Sequence, residues 1–104
     1  MIAEILFASV EGEKSFLWDR AKKDLGGWII GIENVEALRK RLEWPVWGIF
    51  VDDSPEMLQL VEKFHLENPQ IPIGYIGLEK PPEGFFQINN PGGYVLFIGH
   101  LYNL

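Results

Sequence analysis

The sequence predicts an open α/β domain: a mostly parallel five-stranded sheet with helices on both faces. Three observations predict it. Short apolar runs recur four times between Ile2 and Ile76, each bounded by Gly, Pro, Asn or Asp. The segments between those runs place apolar residues at helical rather than alternating spacing. Strand and helix therefore alternate, the pattern of a parallel sheet with right-handed crossovers. No linker, repeat or low-complexity segment interrupts the 104 residues, so 1–104 is expected to form a single domain.

Ile2 to Val10 is apolar except at Glu4 and Ser9, as expected of a central strand buried on both faces. Lys14 to Leu25 reads as a helix with Leu17, Ala21 and Leu25 on one stripe, closed by Gly26-Gly27. Trp28 to Ile32 is the second strand. Asn34 is the expected N-cap of a helix from Val35 to Glu43, with Glu36 and Lys40 paired at i,i+4 and Pro45 ending it. Val46 to Val51 is the third strand and stops on Asp52-Asp53. Ser54 is the expected cap of a helix from Pro55 to Glu67, whose core stripe is Met57, Leu60, Val61 and Phe64. Ile71 to Ile76 is the fourth strand, weakened at its start by Pro72.

The last quarter is less regular. Only eight residues, Gly77 to Gly84, separate Ile76 from Phe85. A crossover with its own helix needs at least about 10–12. Either this link is an extended loop or the next strand is not parallel. Phe85 to Asn89 is read as the fifth strand and Tyr94 to Leu104 as a terminal helix. The competing reading makes Tyr94 to Ile98 the strand. The helix is preferred because Tyr94, Phe97, Ile98, Leu101 and Leu104 share one helical stripe.

Composition narrows the function classes. Hydrophobic residues make up 47% and charged residues 23%, the balance of an ordinary globular domain. A net charge of −6 argues against a nucleic-acid surface, which needs a basic face. The absence of cysteine removes thiolate nucleophiles, disulfides and zinc-thiolate sites. No basic region precedes the first apolar run, and no stretch reaches the roughly 18 apolar residues of a membrane span. A cytoplasmic protein without a membrane partner is expected.

A strand that delivers carboxylates beside a helix N-terminus is where open α/β proteins place their chemistry. Asp52 and Asp53 stand there, although Asp after a strand also commonly caps backbone donors. His65 and His100 have no ligand-spaced partner, and Ser9, Ser15 and Ser54 lack a nucleophile-elbow context. Gly26-Gly27 and Gly92-Gly93 match no phosphate-loop pattern, which disfavours a nucleotide- or flavin-binding domain. Trp18, Trp28, Trp44 and Trp47 are expected in the core.

Taken in order, these segments resemble the receiver domain of two-component response regulators. Ile5 to Glu11 sits where that family has a strand ending in an acidic pair, and Asp52 where it carries its phosphorylated aspartate. Ile71 to Gly77 is similar to its fourth strand, Gly84 to Pro91 to its fifth strand with the Lys-Pro ending, and Tyr94 to Leu104 to its last helix. The departures are informative. Ser9 and Val10 replace the acids, Gly77 the Ser or Thr, Asn90 the lysine and Gln87 the usual aromatic, and the family's fourth helix is missing or reduced to a loop.

The resemblance implies Mg²⁺ for aspartyl phosphorylation, held by carboxylates and water. Asp52 and Asp53, with Glu11, are a thin supply. The expectation is a degenerate, pseudo-receiver domain without enzymatic activity or cofactor, in which Asp52, Asp53, Glu11 and Asn90 mark a relic of a phosphoacceptor site. The alternative is a receiver that accepts a phosphoryl group at Asp52 with Mg²⁺.

The terminal helix carries a second expectation. With its core stripe assigned, Val95, Leu96 and Tyr102 point away from the sheet, and Gly99 on that side allows close approach of another helix. A helix apolar all round is covered on both sides. The expected partner is a second copy or another protein, docked on that face. The domain is expected to be the N-terminal input of a longer regulator, such as a transcriptional activator.

Overall fold

The computed structural model describes residues 4–102. Five parallel strands lie in the order β2-β1-β3-β4-β5. They are β1 (Glu4–Ala8), β2 (Ile29–Ile32), β3 (Val46–Val51), β4 (Ile73–Tyr75) and β5 (Phe86–Gln87). Four helices connect or follow them: α1 (Trp18–Leu25), α2 (Val35–Arg41), α3 (Pro55–Glu67) and α4 (Pro91–Tyr102). This is the doubly wound order whose switch point falls between β1 and β3. The expected start of the first strand at Ile2 and the end of the last helix at Leu104 lie outside the described residues.

Two apolar layers sandwich the sheet. Phe7 and Phe50 face α1 and α4, packed against Trp18, Phe97 and Leu101. Leu6, Ile49 and Val51 face α2 and α3, packed against Leu38, Met57 and Val61. Successive residues of β1 and β3 thus alternate between the layers, which is why these strands have no polar face.

Several local expectations are corrected. The first helix begins at Trp18, not Lys14. Gly12 adopts φ 56° and opens a 3₁₀ turn over Gly12–Lys14, after which Ser15 is extended and breaks the helical path. Leu17, Ala21 and Leu25 are nevertheless all buried as the stripe requires. Asn34 caps α2 as expected, its Oδ1 accepting from the Ala37 amide at 2.9 Å. Glu36 pairs with Arg39 rather than Lys40. Ser54 makes no side-chain cap on α3. Strand β4 is shorter than Ile71 to Ile76, because Pro72 has no amide to donate and only its carbonyl joins the sheet, to the Ile49 amide.

The two open questions of the last quarter are resolved. The segment after β4 is a loop, and β5 still pairs parallel to β4, with Gly74 opposite Phe86 and Tyr75 opposite Gln87. The loop crosses on the α3 side: Phe85 buries in that layer and meets His65 edge-on at 5.3 Å. His65 is therefore a packing residue for the crossover, beyond its place in α3. Residues from Pro91 form a helix, not a strand, and Tyr94, Phe97 and Leu101 are its buried side. Close approach depends on glycine: a Cβ at Gly74 would sit 2.8 Å from the Phe97 ring, and one at Gly93 would overlap the Gln87 carbonyl oxygen.

Candidate functional site

Asp52 follows β3 directly, and its amide continues the sheet by donating to the Ala8 carbonyl at 3.2 Å. The residue is 8% exposed. Both oxygens of its carboxylate accept from a backbone amide. Oδ2 accepts from the Val10 amide at 3.0 Å, and Oδ1 accepts from the Ser54 amide at 2.9 Å. The first bond reaches across the switch point to the loop after β1. The second makes an Asx turn that leads the chain into α3. Asp52 thus clamps two loops at the carboxyl edge of the sheet.

The other residues of the expected corner are placed differently. Ser9 is buried, and its Oγ accepts from the Glu11 amide at 3.2 Å. Asp53 and Glu11 are exposed. Asn90 is the N-cap of α4, its Oδ1 accepting from the Gly93 amide at 2.7 Å. Among the described residues no three His, Asp or Glu side chains come together as a metal-binding group. Each Asp52 oxygen accepts from one amide, and Ser9 and Val10 bring no carboxylate to this corner, so few anionic ligands are at hand for the octahedral oxygen shell that Mg²⁺ demands.

A residue that the sequence reading passed over lies beside this corner. Tyr75 ends β4, is 3% exposed, and faces the same layer as Val51, its partner in the β3–β4 register. Its phenol runs along the strand to Gly77, where any Cβ would overlap it. Burial raises its pKa first, and the charges of Asp53, Glu79 and Asp52 raise it further, so the phenol stays protonated among carboxylates. Gly77 lies beyond the end of β4, so this pairing of a large residue with an empty position is set by the turn after the strand.

The outer side of α4 is the second candidate. Val95, Leu96 and Tyr102 are 60%, 62% and 63% exposed. A Cβ built at Gly99 would meet nothing within 4 Å. On the side toward α1, Tyr94 donates to Asp24 Oδ2 at 2.6 Å, and the Arg20 guanidinium sits 4.5 Å over the Tyr94 ring. The Tyr102 hydroxyl also donates to the Asp24 carbonyl. Tyr102 is therefore fixed at its tip while most of its ring faces solvent. The expectation that all four tryptophans are core fails at Trp28 and Trp44, which are exposed.

No protein-family model matches the chain, and no curated protein matches it in sequence. A solved structure is similar in fold: a CheY-like response regulator receiver domain protein from Methanospirillum hungatei JF-1. The TM-score is 0.55 at 14% sequence identity, over 96% of this chain and 76% of that one. The chain therefore has a receiver-like, flavodoxin-like fold; at that identity the likeness is one of fold. No helix among the described residues is long and apolar enough to cross a membrane.

Proposed function

We propose that this chain is a non-enzymatic regulatory domain of the pseudo-receiver kind, which works by protein–protein contact through the outer face of α4. The observation that carries this reading is the two-sidedness of that helix. Tyr94, Phe97 and Leu101 are buried against the sheet while Val95 and Leu96 remain in water on the outer side, flanked by the exposed ring of Tyr102 at the α1 edge. Each of those three, if removed from water by a partner, contributes about 1–2 kcal/mol before the cost of association. The partner is a second copy or another protein, and the setting is a signalling pathway such as transcriptional control. The surroundings of Asp52 support the same reading, because a phosphoacceptor needs a counter-ion, and Ser9 and Val10 bring no carboxylate to hold one.

Two measurements test it. Sedimentation of the wild type and Leu96→Glu over a wide concentration range reads the face directly; concentration-dependent association that the variant abolishes is expected. A wild type that stays monomeric removes self-association and leaves only a different protein as the occupant. Adding Mg²⁺ and beryllofluoride reads Asp52. The expected result is no change in the amide spectrum around residues 9–11 and 52–54. Saturable shifts centred there would establish the competing reading, a receiver phosphorylated on Asp52.

A further inference from the structure

At the opposite end of β3 from Asp52 lies a groove of about 620 Å³ between the C-terminal ends of α2 and α3. Its size is that of a small-molecule site. Its floor is made by the half-buried side chains of Leu42, Leu60, Phe64 and Ile71. Trp44 stands on the rim and is 54% exposed. It is held there by structure on both sides. Its amide donates to the Arg41 carbonyl, and Arg41 reaches past it to the Pro45 carbonyl at 3.0 Å while pairing with Glu4 at 3.2 Å. A large aromatic surface on a turn whose backbone is fixed, beside an apolar hollow, offers a ligand a contact that needs no rearrangement of the chain.

The charges decide which ligand. Four charged side chains line the groove: Arg39, Lys63, Glu43 and Glu67. Arg39 is already paired with Glu36. Among the described residues Lys63, Glu43 and Glu67 make no ion pair, so the unpaired formal charges sum to +1 − 2 = −1. The negative pole of α3 also ends here, and His65 is the only basic residue of its last turn. An indole face attracts cations and does not attract anions.

We infer that this groove is a binding site for an organic cation with an apolar body, its ammonium or guanidinium group held between the Trp44 face and the carboxylates of Glu43 and Glu67, its body on Phe64 and Ile71. The site lies at the far edge of the sheet and is independent of the proposed role of α4.

Three probes that share one ring and differ in charge test it: benzyltrimethylammonium, benzyl alcohol and benzoate, each titrated into the full chain and followed by amide chemical shifts. Saturable shifts confined to residues 39–46 and 60–71 are expected for the cation, weaker ones for the alcohol and none for benzoate. Trp44→Ala weakens the cation about two- to thirty-fold, the range of a cation–π contact. Glu67→Gln, an isosteric change on an exposed position, weakens it as well and leaves the benzyl alcohol shifts in place. Benzoate binding as tightly as the cation overturns the assignment. So does a lack of localised shifts with any probe, or cation binding unchanged in both variants.

Discussion

Single residues show most clearly what this sequence has committed to. Asp52, expected as the relic of a phosphoacceptor site, acts as a clamp, with each carboxylate oxygen on a backbone amide. Asp52→Ala leaves the Val10 and Ser54 amides without their acceptor in a part-buried corner. The expected loss is about 1–3 kcal/mol in urea unfolding, more than an exposed carboxylate such as Asp53 gives in the same substitution. Two glycines make a second contrast. Gly74→Ala drives a methyl into Phe97 and Ile88 and should cost about 1–3 kcal/mol. Gly99→Ala meets nothing within the fold and gains helix propensity, so it should stabilise the isolated domain by about 0.8–1 kcal/mol. If it also weakens self-association, Gly99 is kept for a neighbouring helix. The sequence showed where Asp52 lies but not that both its oxygens are taken, because one partner, Val10, is 42 residues away. Tyr75 was hidden for the same kind of reason: its role depends on the empty space over Gly77, which periodicity does not display.

Elements were legible in proportion to their periodicity. The strands β1 and β3 and the helix α3 follow directly from apolar runs and stripes, whereas α1 loses its first turn to Gly12 and Ser15, a backbone effect no stripe reports. The shortness of the segment after β4 was readable as a count of residues. That β5 stays parallel was not, since it depends on Phe85 and His65 packing the loop across the α3 face. The docking of α4 onto α1 was unforeseen too, because Asp24 and Tyr94 are 70 positions apart. That contact has a pH signature. Burial, and then the hydrogen bond and charge of Asp24, push the Tyr94 phenol well above its ordinary value of 10, with Arg20 pulling back. The folded state holds the proton more tightly than the unfolded chain, so this contribution is complete below about pH 10 and is lost as the pH rises beyond it. Denaturant melts at pH 8 and pH 11 should therefore show a drop in stability that is smaller in Tyr94→Phe.

For the whole molecule, the question is what an apolar face of this size can accomplish. Three side chains at about 1–2 kcal/mol each give about 3–6 kcal/mol per copy, or about 6–12 kcal/mol for two copies meeting face to face. Association costs an estimated 4–15 kcal/mol. The two ranges overlap, from a net cost of about 9 kcal/mol to a net gain of about 8 kcal/mol, so these three side chains alone support at most a weak homodimer. Such a dimer leaves a mark on folding, because a partner that binds only the native state stabilises it by mass action. With free partner at ten times the dissociation constant the gain is about 1.4 kcal/mol. For a domain near this size that raises Tm by roughly 5–10 °C. Calorimetric scans of the wild type from tens of micromolar to about one millimolar should show Tm climbing by several degrees, and Leu96→Glu should melt at one temperature throughout. A wild-type Tm that does not move over that range means the face is too small to recruit a second copy. Under the proposed reading its occupant is then a different protein that adds surface of its own.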